Sequence, residues 1–251
     1  MKTKKLLALL TAGALSASML AGCVSTTKAN DTAANGSSTD TSAAADSDLE
    51  YVKSQGKLVV GITDFAPMDY KEDGSDEWIG FDADMAKAFA ESIGVEAEFL
   101  EINWNNKIME LDGKGVDAVW NGMTLTDEVK TSMNCSNPYA TNVQVLVVPS
   151  DKATPDLAWD DVKSMAVAAE SGSAGEAVAT NLGLTVTAVP SQADALMEVA
   201  AGTSDACVID LLMEGAMIGE GTSYPNLAHA FDLTAARNRK TTLSASARTP
   251  I

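Results

Sequence analysis

Short apolar segments alternate with amphipathic segments along most of this 251-residue chain, and no other feature constrains its fold as strongly. In the first half, three segments have the pattern of buried strands, at Lys57–Thr63, Val95–Ile102 and Val116–Trp120. Between them, Phe81–Ile93 and Asn105–Leu111 have the pattern of helices. Strands and helices that alternate in this way form mainly parallel sheets covered on both faces. The sequence therefore predicts an α/β fold.

The second half repeats this organisation without an obvious repeat of the sequence. Strands are predicted at 144–148, 165–169, 184–189, 205–209 and 227–231, with helices at 173–181, 193–201 and 211–218. A connection at 138–143 separates the two halves. We expect two α/β lobes, one over residues 49–140 and the other over residues 141–234.

The segment from Val116 to Tyr139 has the chemistry of a ligand-binding loop. A short strand is predicted to break at Asn121-Gly122 and to be followed by the start of a helix near Thr126. Glycine allows a ligand to approach the main chain closely, and N–H groups at the start of a helix favour a negative group. The simpler interpretation is that Gly122 only makes a turn and that Thr126 only caps a helix.

Several motifs, in the same order and spacing, resemble the polar amino-acid-binding proteins of ABC importers, solute-binding protein family 3. They are the 116–139 segment, Phe65-Ala66-Pro67-Met68, Ser171-Gly172-Ser173-Ala174-Gly175 and Asp205–Asp210. The resemblance extends from about Leu58 to about Leu233. It implies a two-lobed periplasmic-binding-protein-like fold with a ligand cleft between the lobes. It also implies a monomer that captures an amino acid or a related amine, uses no cofactor or metal, and delivers the ligand to ABC permease subunits.

The resemblance assigns ligand-binding roles to residues of both lobes. Phe65 and Trp104 are expected to form an aromatic wall, and Asp210 is expected to bind the ligand ammonium. The carboxylate is expected to bind N–H and hydroxyl donors. The residues predicted to supply them are Gly122, Thr124, Ser173 and Ala174.

Each of these residues also has a purely structural interpretation. Either aromatic ring could be ordinary core packing, and Asp210 could cap the helix that starts at Leu211. A capping role for Ser173 is compatible with ligand binding.

One position departs from the family pattern. An arginine that grips the ligand carboxylate usually follows the Thr-x-Glu-like segment, whereas this chain has Val129 there. Lys107 is a candidate for a long-range replacement. Glu170 occupies a position that often holds Gln or Lys and, together with Asp210 and Asp64, it predicts an acidic cleft that favours a cationic ligand.

The N-terminus resembles a bacterial lipoprotein export signal. Lys2, Lys4 and Lys5 precede an apolar run that ends in Leu20-Ala21-Gly22-Cys23. This pattern predicts a signal peptide over residues 1–22, lipidation of Cys23 and a cell-membrane location on the extracytoplasmic face. Residues 23–48 are rich in Ser, Thr, Ala and Asp and predict a disordered tether. The net charge of −18 argues against nucleic acid as a partner.

The tail does not continue the family pattern. Residues 235–251 contain every arginine of the chain and have no apolar periodicity. The family would continue past Leu233 with a second hinge strand, a return into the first lobe and a closing helix. We therefore expect an aberrant basic tail and a first lobe that lacks this return.

Two other functions stay open at this point. A few members of the fold dehydrate small acids, but the only histidine, His229, falls in a predicted strand edge or loop and offers no convincing catalytic base. A ligand sensor or surface module would suit a lipid anchor equally well. The sequence favours a binding protein over an enzyme.

Overall fold

The computed structural model describes residues 47–233 and 241–247. The predicted signal peptide, Cys23, nearly all of the tether and residues 235–240 and 248–251 of the tail lie outside the described residues. Among the helices of the described part, none combines the length and the apolar character needed to cross a membrane.

The first half alternates strands and helices as the sequence predicts. Its elements are α1 (Asp48–Gln55), β1 (Lys57–Ile62), α2 (Phe81–Ser92), β2 (Glu96–Glu101), a 3-10 helix (Trp104–Asn106), α3 (Lys107–Asp112), β3 (Ala118–Thr124), α4 (Asp127–Ser132), β4 (Asn134–Cys135) and β5 (Ala140–Asn142). In α2, the spacing of four residues places Asp82, Ala86 and Ala90 on the buried face.

The second half has the same alternation. Its elements are β6 (Gln144–Pro149), α5 (Trp159–Val162), β7 (Ala166–Glu170), α6 (Ala174–Asn181), β8 (Thr185–Val189), α7 (Gln192–Ala201), β9 (Ala206–Asp210), α8 (Leu211–Met217) and β10 (Leu227–Asp232). A last strand, β11 (Thr241–Ala247), follows.

These strands form two sheets. The first has the order β2-β1-β3-β11-β4, with β5 also paired to β11, and the second has the order β10-β6-β9-β7-β8. Helices flank the sheets, so the predicted two-lobed α/β fold is confirmed. Each sheet is mixed rather than mainly parallel, because β11 runs against β3 while β6 runs against both β9 and β10.

Each lobe has its own apolar core. In the first lobe, Val60 and Ile62 of β1 pack with Ala86 and Ala90 of α2. In the second lobe, Val148 and Val167 belong to a cluster on one face of the sheet, while Val147 and Ile209 belong to a cluster on the other face. Complete burial of each such Val or Ile contributes about 1.5–3 kcal/mol.

The strand β11 corrects the expectation that the chain does not return to the first lobe. Residues 241–247 lie inside the first sheet, where Leu243 pairs with Thr124 and Thr241 pairs with Asn142. This segment has no apolar run, so its local pattern does not mark it as a strand. Its place depends instead on pairing with strands that are distant in the sequence. In the described part of the chain, the first sheet thus contains strands from before Val143 and also β11, which follows the strands of the second sheet in sequence.

Candidate functional site

A cavity of about 130 Å³ lies where the ends of β3 and of the 3-10 helix meet the ends of β7 and β9. Its lining includes six of the seven residues predicted to bind a ligand, namely Trp104, Gly122, Thr124, Ser173, Ala174 and Asp210. Val129, at the position where the family has arginine, also lines it. Residues of both lobes therefore face the same cavity.

Phe65, the seventh predicted residue, lies elsewhere. Its side chain is only 1% exposed and, with Met68, it belongs to an apolar cluster that includes Val145 and Ile209 of the second lobe. It also packs closely on Gly122, since a Cβ atom added to Gly122 would lie 2.6 Å from the Phe65 ring. The ring therefore joins the two lobes by packing instead of lining the cavity, which corrects the prediction of an aromatic wall at this position.

Gly122 differs from the prediction in two respects. The strand β3 does not break at Asn121-Gly122 but continues to Thr124, with Gly122 at a φ of 56°. The Gly122 N–H donates to Asp82 Oδ2 at 2.5 Å, so this donor is already used and is not free for a ligand carboxylate. Asp82 was not predicted to belong to the site. The sequence pattern that could have indicated Asp82 is its position four residues before Ala86, which places a carboxylate on the buried face of α2.

Asp82 also links the loop to the 138–143 connection between the two halves. The hydroxyl of Tyr139 donates to Asp82 Oδ2 at 2.9 Å. Burial raises the pKa of Asp82 to about 6, although the hydrogen bonds from Tyr139 and Gly122 lower it.

Asp69 is fully buried and, among the described residues, neither of its carboxyl oxygens has a hydrogen-bond partner. Burial, with a contribution from Asp82, raises the pKa of Asp69 to about 9.

The start of α6 is capped and lies at the cavity. Ser173 caps this helix, because its Oγ accepts a hydrogen bond from the Glu176 N–H at 3.0 Å. The N–H of Gly172 donates to Glu176 Oε2 at 2.7 Å, which holds the preceding turn. The helix begins at Ala174, at the cavity, and a helix N-terminus favours negative charge.

Asp210 lies in a cage of side-chain amides. Asn142 and Gln144 both donate to its Oδ1, and Gln192 donates to its Oδ2 at 2.6 Å. The Asp210 N–H donates in turn to Gln192 Oε1 at 2.7 Å. Burial raises the pKa of Asp210, and the three amide hydrogen bonds oppose this shift. Although Asp210 precedes α8, its side chain makes no capping hydrogen bond, so the alternative interpretation as a cap is wrong.

Lys107 and Glu170 bring charge to the cavity. Lys107 Nζ donates to the backbone carbonyls of Gly172, at 2.8 Å, and Trp104, at 3.2 Å, and burial lowers the pKa of Lys107. Glu170 is 2% exposed and accepts a hydrogen bond from the Thr63 hydroxyl at 3.1 Å. Burial raises the pKa of Glu170 to about 8. Asp64, also expected in an acidic cleft, is exposed and lies outside the cavity lining.

Comparison with known proteins identifies relatives of the chain. Residues 58–164 match the profile of the bacterial extracellular solute-binding proteins, family 3. The arginine-binding extracellular protein ArtP of Bacillus subtilis (strain 168) is 32% identical over 165 residues, which are 63% of this chain and 63% of that protein. The glutamine-binding protein of Geobacillus stearothermophilus is 30% identical over 223 residues, which are 86% of this chain and 84% of that protein.

A solved structure supports the same relationship. An amino acid ABC transporter substrate-binding protein from Streptococcus pneumoniae, bound to L-arginine, superposes with a TM-score of 0.73 at 26% identity. The match covers 81% of this chain and 85% of that chain, so it includes both lobes.

Proposed function

Because the chain belongs to the bacterial extracellular solute-binding proteins of family 3, we propose that it captures an amino acid or a related amine by closure of its two lobes and delivers it to an ABC importer. The observation that carries this proposal is a cavity to which both lobes contribute polar groups. A ligand that touches both lobes stabilises the closed form by the difference between its affinities for the closed and open forms.

The cavity suggests a role for each group. The start of α6, at Ser173 and Ala174, and the Thr124 hydroxyl are placed to bind a carboxylate. Asp210 is placed to bind an ammonium, and Trp104 to pack on an aliphatic stem. Carboxylate binding then rests on neutral donors, because Val129 provides no charge. Gly122 acts through its packing on Phe65 and through its hydrogen bond to Asp82.

We assign a binding role instead of a catalytic one. The relatives compared above are binding proteins, and His229 lies on β10 and does not line the cavity. The proposal extends to a monomer held at the extracytoplasmic face of the cell membrane by a lipid on Cys23 and working with ABC permease subunits. Mass spectrometry of the protein from cell membranes tests the lipid, since a diacylglyceryl group on Cys23 is expected.

A ligand screen tests the binding function directly. The purified protein is heated with each of the twenty standard amino acids and with diamines, and the midpoint of unfolding is recorded. At a concentration 100 times Kd, a ligand that binds only the folded form stabilises it by about 2.7 kcal/mol, which is a shift of several degrees. Calorimetry then confirms each hit. A flat response to every compound at millimolar concentration would refute the proposal.

A further inference from the structure

Among the described residues, two buried carboxylates line the cavity, Glu170 and Asp210, and Glu170 accepts fewer hydrogen bonds than Asp210. Glu170 is the last residue of β7, and its side chain is almost completely buried. A buried carboxylate is costly unless hydrogen bonds or an opposite charge compensate it. The hydrogen-bond partners of Glu170 therefore indicate whether a ligand group is needed to compensate its carboxylate.

A single neutral donor contacts this carboxylate within the described part of the chain. The Thr63 hydroxyl donates to Glu170 Oε1 at 3.1 Å, and Asn121 Nδ2 donates to the same hydroxyl oxygen at 2.8 Å. The bond from Asn121 leaves the Thr63 hydrogen free to point at Glu170. A carboxylate has about four acceptor positions, so most of those on Glu170 are unused.

The nearby lysine does not pair with Glu170. Lys107 Nζ is held by two main-chain carbonyls, and no ion pair joins Lys107 to Glu170 in the described residues. Asp210, in contrast, accepts three hydrogen bonds from amides and keeps about one acceptor position, which suits a single ligand ammonium. A second positive group in the ligand would meet Glu170.

We propose that Glu170 binds a positively charged side-chain group of the ligand, so that this site takes a cationic amino acid ending in an ammonium or a guanidinium. The inference rests on the function proposed above and narrows its substrate class. A guanidinium suits the geometry well, because it presents several donors in one plane and can bond a carboxylate through two of them.

Ligand charge is coupled to the protonation of Glu170. With the cavity free of cation, burial together with the negative charges of Asp210 and Asp194 raises the pKa of Glu170 to about 8. The Thr63 hydroxyl and the Lys107 ammonium oppose the shift. A cation against the carboxylate favours its ionised form. Binding of a cationic ligand at pH 7 therefore releases close to one proton, and its affinity rises between pH 6 and pH 8.

The test compares L-arginine with L-citrulline, which replaces the guanidinium by a neutral urea of nearly the same shape. In calorimetry at pH 8, the wild-type protein is expected to bind L-arginine at least about tenfold more tightly. Glu170→Gln should remove most of this preference while keeping the Thr63 hydrogen bond. Glu91→Gln, an exposed change on α2 with the same change of net charge, should keep it. The number of protons released is measured by repeating the calorimetry in buffers of different ionisation enthalpy, because the observed binding enthalpy then changes with the buffer.

The outcomes separate this inference from the proposed function. If a neutral amino acid binds and L-arginine and L-lysine do not, the inference fails and the binding function stands. If L-arginine and L-citrulline bind equally, or if a folded Glu170→Gln protein keeps the preference, the assignment to Glu170 is wrong. If no amino acid or amine binds the wild-type protein, both proposals fail. Thermal unfolding of each variant establishes that it is folded.

Discussion

Thr63 and Glu170 are joined by a hydrogen bond of 3.1 Å, although one follows β1 in the first sheet and the other ends β7 in the second. The bond is buried, and the Thr63 N–H is held in addition by Asn121 Oδ1 at 3.0 Å. A fixed hydroxyl of one lobe thus lies against a buried carboxylate of the other lobe.

Replacement of Thr63 by valine should weaken ligand binding by about tenfold. The change removes the donor to Glu170 and leaves Asn121 Nδ2 without this acceptor, and a hydrogen bond to a charged group contributes about 1.5–3 kcal/mol. Calorimetry with the best ligand from the screen measures the effect. Thr63→Ser keeps the hydroxyl and should bind like the wild type; unchanged affinity in Thr63→Val would show that the bond does not contribute to closure.

Replacement of Gly122 by alanine should destabilise the protein by about 2–4 kcal/mol. A side chain at a φ of 56° costs about 1–2 kcal/mol, and the new methyl group would lie 2.6 Å from the Phe65 ring. Gly183→Ala is the matched control, because Gly183 also has a positive φ, of 79°, but has open space around it. Urea unfolding measures the free energy of unfolding of both variants, and the difference between their losses gives the cost of the clash with Phe65. Equal losses in the two proteins would mean that Phe65 moves away without cost.

Replacement of Ser173 by alanine should reduce both stability and ligand affinity. Ser173 and Ser191 both cap helices by accepting a hydrogen bond of 3.0 Å from the N–H three residues later, and loss of such a cap costs about 1 kcal/mol. Only Ser173 lines the cavity. Ser191→Ala should therefore lose similar stability and keep its affinity in calorimetry, and a similar loss of affinity in both variants would argue against a direct role for Ser173.

Asp69 should make the protein less stable as the pH rises. Burial raises its pKa in the folded state to about 9, so the folded form binds a proton more tightly than the unfolded form, whose pKa is near 3.8. Between these values, the free energy of unfolding falls by about 1.4 kcal/mol per pH unit because of this group. Asp82 and Glu170, whose pKa values are also raised, act in the same direction.

Asp69→Asn isolates this contribution. Urea unfolding from pH 5 to pH 8 should give a flatter dependence than in the wild type, and Asp73→Asn, an exposed change, should leave the wild-type slope. Parallel slopes in the wild type and Asp69→Asn would show that Asp69 ionises normally in the folded protein.

Local pattern predicted most of the fold. The strands β1, β6, β7 and β9 are short apolar runs, and each lies within one residue of its predicted bounds. The strand β11 escaped prediction because residues 241–247 are mostly small and polar, and only their pairing with β3 and β5 makes them a strand. Pairing between distant segments leaves no periodic signal in either of them.

The site was predictable where one segment carries its own chemistry. Ser173 precedes a helix and Asp210 ends a buried strand, as the sequence predicts, and both residues line the cavity. The amides around Asp210 were missed because Asn142, Gln144 and Gln192 come from three separate elements. The Gly122 N–H was expected to be free because its acceptor, Asp82, lies 40 residues away in the chain.

The position of β11 also bears on the order in which the lobes can be completed. The chain is synthesised from its N-terminus, so every strand of the second sheet, through Asp232, is made before residues 241–247. Until then β3 has β1 on one side and an open edge on the other, and open edges invite pairing with other chains. The lobe that is synthesised first is therefore the lobe whose sheet is finished last.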